Sequence, residues 1–298
     1  MLKYIKFMKG FIFMNLYQET KFLMNKYNIF ASKKLGQNFL INDSIVDDIV
    51  SESKVTSEDL IIEVGPGLGN LTSRLLEKAG KVIAVELDPK MINILQDRFS
   101  LYKNFELIYN DILKIDLQKL IEDNLNENIK TAKVVANLPY YITTPIIMKL
   151  LEDNLNLESI TVMVQKEVAE RLAATPGDKL SGAITYSIYY YTTPEIIIEV
   201  PSSSFIPEPQ VDSAVIKFDI LKEPRIKVMD EKLFFKIIKS AFLQKRKTFV
   251  NALLNSNIFP NRESAEKMLL DLNIDTKIRG EKLSLEDFAK ITEYIKNK

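Results

Sequence analysis

The segment Leu60-Ile61-Ile62-Glu63-Val64-Gly65-Pro66-Gly67-Leu68-Gly69 decides the fold. A short apolar run that ends in a glycine turn predicts a buried strand. The glycines at 65, 67 and 69 match neither the dinucleotide-binding G-x-G-x-x-G nor a P-loop, which needs a following Gly-Lys-Ser/Thr. Leu71–Ala79 then reads as a helix. Lys81–Glu86 is a second strand, and Asp88-Pro89 starts a helix with an N-cap residue and Pro at the first helical position. Phe105–Tyr109, Lys133–Ala136 and Ser159–Val164 continue the strand series. Thr144-Pro145 opens another helix, and Lys166–Ala174 is helical. Upstream, Ser44–Val55 has apolar residues at helical spacing, with Asn42 or Asp43 as its cap. Glu195–Val200 and Ser213–Asp219 are late strands. This alternation implies an α/β chain with a mostly parallel sheet covered on both faces.

After Glu223 the strand signal stops. Lys232–Leu243, Lys247–Leu254, Glu263–Leu270 and Leu285–Ile295 all read as helices, so a domain boundary falls near 221–228. The expected organisation is an N-terminal extension over 1–30, a catalytic domain over 31–222 and a helical domain over 223–298. Met1–Met14 mixes Lys3, Lys6 and Lys9 with Phe and Ile, which interrupts any signal-peptide or membrane run. It reads as a loose extension, with Met14 or Met24 as alternative starts.

The chain has 298 residues and contains no Cys, His or Trp. A Cys/His zinc site, a disulfide and Ser-His-Asp or Cys-His catalysis are therefore excluded. Cytosine C5 methylation, which needs a thiolate, is excluded with them. The lack of Cys fits a reducing, cytoplasmic setting. Lys+Arg and Asp+Glu both number 40, but from Leu221 onward there are 17 basic and 11 acidic residues. A basic C-terminal third fits either a polyanionic partner held at one end or a solvated surface.

In open parallel sheets ligands bind beyond the carboxyl ends of the strands. Four such ends carry candidate residues. The turn at Gly65, Gly67 and Gly69 is either a tight turn or a place where backbone approaches a ligand. Glu86 is either a solvated strand-end acid or an acceptor for a ribose diol. Asp111 is either a turn residue or an acceptor for an adenine amine. Asn137-Leu138-Pro139-Tyr140 is either a proline turn with a packed Tyr or an amide and an aromatic presented to a cleft.

Five segments carry a resemblance. They are Leu35-Gly36-Gln37-Asn38-Phe39-Leu40, Glu63–Gly69, Val85-Glu86-Leu87-Asp88, Asn137–Tyr140 and Phe205-Ile206-Pro207-Glu208-Pro209-Gln210-Val211-Asp212-Ser213. In this order they resemble the ribosomal RNA adenine N6,N6-dimethyltransferases, nearest the bacterial 16S rRNA branch. The likeness runs from about Lys33 to the C-terminus and includes Gln165–Val168 and Lys245–Thr248. It implies a class I S-adenosylmethionine-dependent methyltransferase fold, Rossmann-like with a mostly parallel seven-stranded sheet, and a small all-helical C-terminal domain. By position, it implies cofactor contacts from Asn38, Leu40, Gly65, Glu86, Asp111 and Asn137. Glu86 would hold the ribose hydroxyls, Asp111 the adenine amine, and Gly65 would allow close approach to the methionyl part. Tyr141 stands where many relatives have Asn, a departure that should tune the pocket.

Adenine N6 is a weak nucleophile, while a sulfonium methyl is already activated, so placement matters more than a strong base. The resemblance implies that the Asn137 side-chain oxygen and the Leu138 carbonyl accept the N6 hydrogens, with Pro139 orienting that carbonyl. Tyr140 and Phe205 are candidates to stack on a displaced adenine, although Phe205 alone also reads as a core aromatic. Lys245, Arg246 and Lys247 are the leading RNA contacts, with Lys33, Lys34 and Arg171 behind them. The expected function is dimethylation of two adjacent adenosines in the 3′-terminal hairpin loop of 16S rRNA. The expected setting is an immature 30S subunit, with the enzyme a monomer and no metal or membrane involved. A 23S rRNA methyltransferase of the macrolide-resistance type and a binding-only assembly factor are the alternatives.

Overall fold

The computed structural model describes residues 14–31, 36–153, 155–243 and 247–297. In chain order its main elements begin with α1 (Leu16–Lys26), β1 (Phe39–Leu40), α2 (Asp43–Glu52), β2 (Asp59–Val64), α3 (Asn70–Lys78), β3 (Lys81–Glu86), α4 (Pro89–Phe99) and β4 (Phe105–Tyr109). They continue with α5 (Leu117–Glu122), β5 (Thr131–Asn137), α6 (Thr143–Glu152), β6 (Ser159–Gln165), α7 (Lys166–Ala173), α8 (Ala183–Tyr191), β7 (Thr192–Val200), β8 (Phe205–Ile206) and β9 (Ser213–Ile220). Helices α9 (Glu231–Leu243), α10 (Phe249–Asn255), α11 (Arg262–Asp271) and α12 (Leu285–Lys296) complete the chain.

Two compact units emerge. One holds the chain up to Ala169 together with Glu195–Phe218, and the other holds Glu170–Pro194 and the chain from Asp219. In the first, a seven-stranded sheet has the order β4-β3-β2-β5-β6-β9-β7. β2 pairs in parallel with both β3 and β5, β3 with β4, and β5 with β6. β2 is therefore an interior strand, and every one of its residues is buried. That explains its mostly apolar character, since a strand covered on both faces has no polar side to alternate with. The chain runs outward from β2 to β4 and then returns to place β5 on the other flank of β2. The order reverses between β2 and β5, the point where such sheets bind ligands.

Local chemistry fixes the neighbouring helices. The Asp88 side chain accepts from the Lys90 amide at 2.9 Å, and Pro89 occupies the first helical position of α4. α3 starts after Gly69, whose φ of +83° suits glycine. A Cβ at Gly69 would lie 2.5 Å from the Phe99 ring of α4, so this glycine also allows close helix packing.

Two expectations need correction. The first thirty residues are not all a loose extension. α1 is a capped helix with a reciprocal Asn15–Gln18 capping box, and Leu16, Thr20 and Leu23 are buried. Residues 1–13 lie outside the described residues. The division between units also differs from a single cut at 222/223. Helix α8, which the sequence reading did not anticipate, belongs to the second unit. Its sequence Ala-Ile-Thr-Tyr-Ser-Ile-Tyr-Tyr-Tyr is rich in β-branched and aromatic residues, which individually disfavour helix. Packing overrides that preference. Tyr186 and Tyr190 are buried among Phe234, Phe249 and Phe288, and the Tyr186 hydroxyl donates to the Leu283 carbonyl at 2.6 Å. The core of the second unit is thus built by α8 together with α9 to α12.

Candidate functional site

A cleft, partly open to solvent, lies at the carboxyl ends of β2, β3, β4 and β5. It brings together Asn38, Leu40, Gly65, Glu86, Asp111, Asn137, Leu138, Pro139 and Tyr140. These come from segments up to about a hundred residues apart in the chain, and the switch-point topology is what joins them.

The glycine turn forms one wall. Gly65 and Gly67 have φ values of +66° and +59°, which a side chain would strain. A Cβ at Gly65 would point at the Pro139 ring, 3.7 Å away, so the turns after β2 and β5 face each other closely. The Gly65 amide donates to Val85 O at 2.9 Å, which ties the turn to the end of β3.

Glu86 closes β3 and is 8% exposed. One carboxylate oxygen accepts the Leu87 and Asp88 amides at 2.7 and 2.8 Å. The other accepts the Gly67 amide at 3.2 Å. Burial pushes its pKa above the ordinary carboxylate value, while these backbone donors pull it back. The carboxylate is therefore locked in orientation by the backbone of two turns. Asp111 caps the short 3-10 turn Ile112–Lys114, accepting the Leu113 amide at 3.0 Å through one oxygen.

Asn137 ends β5. Its Nδ2 donates to the Asn38 carbonyl at 3.3 Å. A carbonyl only accepts, so this contact fixes which side of the amide carries the NH2 and leaves Oδ1 as the free acceptor. The Leu138 amide donates to Met163 O at 3.2 Å, and no donor among the described residues bonds the Leu138 carbonyl. The Pro139 carbonyl is held by the Ile142 amide and the Thr143 hydroxyl, both at 3.2 Å. Tyr140 is half-buried, and its hydroxyl shares a 2.7 Å hydrogen bond with Ser213 Oγ; burial raises its pKa and that bond lowers it.

β1 carries Leu40 to the cleft and pairs antiparallel with β8, with Phe39 opposite Ile206 and Leu40 opposite Phe205. This arrangement corrects the expectation for Phe205. Its ring is 3% exposed, belongs to the hydrophobic core and does not line the cleft. It fixes the β1 segment in place of offering a stacking face. Lys33, Lys34, Lys245 and Arg246 lie outside the described residues. Lys247 is exposed.

Sequence reasoning gave no role to Glu63, Asn70 or Gln37, all of which line the cleft. Glu63 is fully buried, and the Thr72 hydroxyl donates to it at 2.6 Å. A signal for it was available, since an acid inside an apolar strand two residues before a glycine turn has no solvated explanation. Asn70 follows Gly69 directly. The Gln37 amide donates to Asp88 at 2.9 Å.

The donor set fits a nucleoside-bearing ligand. Two strand-end carboxylates suit a diol and an amine, and two glycines with positive φ bring the turn's backbone to the cleft without side chains. A family model described as "Ribosomal RNA adenine dimethylase" matches residues 29–297. The chain belongs to this family. It is 48% identical over 276 residues to "Ribosomal RNA small subunit methyltransferase A" of Clostridium botulinum (strain Kyoto / Type A2), covering 93% of this chain and 98% of that protein. The protein of the same name from Alkaliphilus oremlandii is 45% identical over 281 residues, covering 94% and 97%. Among solved structures, a dimethyladenosine transferase from Plasmodium falciparum matches with a TM-score of 0.70 and 26% identity, over 87% of this chain and 98% of that one. The 23S rRNA methyltransferase ErmE shares the fold, with a TM-score of 0.63 and 22% identity over 87% and 100%. Both structures share the fold of this chain over most of its length.

Proposed function

We propose that this protein transfers methyl groups from S-adenosylmethionine to N6 of two adjacent adenosines in the 3′-terminal hairpin loop of 16S rRNA, within an immature 30S subunit. When bound, that cofactor supplies an activated methyl group on a sulfonium. The cleft's own residues supply the rest. Glu86 and Asp111 would bind the ribose and adenine of the cofactor, with Asn38, Leu40 and Gly65 enclosing it. Asn137 Oδ1 and the Leu138 carbonyl would accept the two N6 hydrogens of the target base. Two acceptors favour a tetrahedral nitrogen and stabilise the positive charge that develops there. Tyr140 offers a ring for the base to stack on, worth about 1–3 kcal/mol.

The observation that carries this reading is the orientation of Asn137. The Asn38 carbonyl takes its NH2, so an amide oxygen and a neighbouring peptide oxygen stand at the end of β5 without donors among the described residues. Such a pair suits an exocyclic amine, and it needs no His or Cys. The helical unit, with Lys245, Arg246 and Lys247, would contribute to RNA binding through charge. Among the described residues no helix is long and apolar enough to cross a membrane. We place the enzyme in the cytoplasm, acting as a monomer without a metal.

Incubation of the protein with labelled S-adenosylmethionine and 30S particles lacking the modification tests the proposal. Nucleoside analysis should yield N6,N6-dimethyladenosine. Label confined to other nucleosides, or label appearing in 50S particles offered in parallel and not in the 30S particles, would overturn it.

A further inference from the structure

Helix α1 ends before residue 29, where the family match begins. It nonetheless reaches the cleft by two buried routes. Along the first, the Asn70 NH2 donates to Thr20 Oγ1 at 2.8 Å and to the Leu40 carbonyl at 2.7 Å. Thr20 is fully buried on α1, while Asn70 and Leu40 both line the cleft. Along the second, the Arg98 guanidinium bonds the Glu19 carboxylate of α1 with one nitrogen and the Leu68 carbonyl of the glycine turn with another. The Arg98 side chain is 7% exposed. α1 itself is held firmly. Leu16 and Leu23 sit in the core, and the Leu16 amide donates to Asp43 at 3.0 Å. At its far end the Tyr27 hydroxyl donates to Asp97.

These contacts do more than cement a helix. Asn70 Oδ1 is buried and has no donor among the described residues. A buried amide that leaves its acceptor unpaired is costly, and such groups call for an explanation. Here both NH2 hydrogens are committed to acceptors, one on α1 and one on the β1 segment. Turning the amide over would place its oxygen against the Leu40 carbonyl, which cannot donate. Asn70 therefore links α1 to the strand that encloses the cleft, and it does so without satisfying itself. Arg98 does the same for the glycine turn, because its position is set from α1 by the opposite charge of Glu19.

We infer that α1 is a positioning element of the cofactor cleft: Glu19, through Arg98, sets the glycine turn, and Thr20, through Asn70, sets the β1 segment. This rests on the reading of the cleft as the S-adenosylmethionine site. Thr20 and Glu19 touch no ligand and act only through Asn70 and Arg98. Their loss should therefore weaken cofactor binding while sparing the transfer step.

The test uses the full-length protein, titration calorimetry with S-adenosylhomocysteine, and steady-state methylation of 30S particles. Thr20→Val keeps the volume and removes the hydroxyl. It should raise the Kd for S-adenosylhomocysteine about 5- to 30-fold. At saturating cofactor, kcat and the KM for 30S particles should stay within about twofold of the parent. Thr20→Ser, which restores the hydroxyl, should return the Kd to near the parent value. Glu19→Gln should raise the Kd in the same direction. If both Thr20→Val and Glu19→Gln melt at lower temperature yet bind S-adenosylhomocysteine as the parent does, α1 is only structural and the inference is overturned. If the unsubstituted protein binds no S-adenosylhomocysteine, it is the assignment of the cleft that fails, and this inference falls with it.

Discussion

Replacing Glu86 by Gln separates what this side chain does for the fold from what it does for a ligand. An ionised carboxylate offers about four acceptor positions. Three backbone amides already use Glu86, two on one oxygen and one on the other. About one full-strength position is left for a ribose hydroxyl. A hydrogen bond to a charged group contributes roughly 1.5–3 kcal/mol, so its loss should weaken binding by about 10- to 150-fold. The Gln oxygen can still accept the Leu87 and Asp88 amides, which keeps the turn after β3 intact. Its NH2 would then meet the Gly67 amide donor to donor, and the glycine turn should shift outward. Both effects act on the cofactor and neither acts on the target base. Titration calorimetry with S-adenosylhomocysteine should show the weaker Kd, while kcat at saturating cofactor falls less than tenfold. A Kd within threefold of the parent would refute the assignment of Glu86 as a ribose acceptor, because no weaker role follows from a buried carboxylate facing the cleft.

Asn137→Ala should slow single-turnover methyl transfer by at least about 100-fold, the usual cost of removing one stabilising group at a developing charge. The same variant should bind S-adenosylhomocysteine within threefold of the parent, and a transfer rate above a tenth of the parent value would exclude Asn137 from the reaction. Gly69→Ala combines a left-handed backbone with a Cβ 2.5 Å from the Phe99 ring. It should destabilise the protein by about 2–5 kcal/mol in urea unfolding; a loss under 1 kcal/mol would show that the helices separate freely. Burial pushes the Glu63 carboxyl from 4.5 up to about 8, with the Thr72 hydrogen bond opposing the rise. The folded state therefore holds a proton that the unfolded state releases, so the stability present below pH 4.5 is lost as pH rises through about 8, by on the order of 5 kcal/mol. Glu63→Gln should flatten that slope between pH 4.5 and about 8, and parallel slopes for parent and variant would count against a buried neutral acid. Replacing Lys245, Arg246 and Lys247 together by Ala should lower the slope of log affinity for RNA against log salt by about 2–3; an unchanged slope would remove the cluster from the RNA contact.

The elements around β2 were legible because their signals are local. A fully buried strand reads as an apolar run, a glycine turn marks its end, and Asp88-Pro89 announces α4 whatever the rest of the chain does. The strand-end residues Glu86, Asp111 and Asn137 were legible for a related reason. Once a parallel sheet is inferred, its carboxyl ends are known, and polar residues there have few purely structural uses. What escaped has its cause far away in the chain. Ala183–Tyr191 has poor intrinsic helix preference, and only the aromatic partners from α9 to α12 make it a helix. Phe205 was a stacking candidate through the resemblance alone, and its own context reads as a core aromatic beside a Pro-rich loop. Its burial comes from pairing opposite Leu40, well over a hundred residues earlier.

α1 shows the limit most clearly, and it also explains how a chain without His or Cys can hold its site rigid. Its Glu19 and Thr20 look like ordinary helix-surface residues, and the charged and apolar mixture before them suggests a loose segment. Their importance lies wholly in Arg98 and Asn70, which sit on other elements. A site that works by placement needs fixed backbone more than reactive side chains. Here the glycine turn is fixed from one side by Val85 and Glu86 and from the other by Arg98. The β1 segment is fixed by Asn70 on one side and by Phe205 on the other. Asn137, between them, then needs only one contact, with the Asn38 carbonyl, to present its oxygen in the right sense.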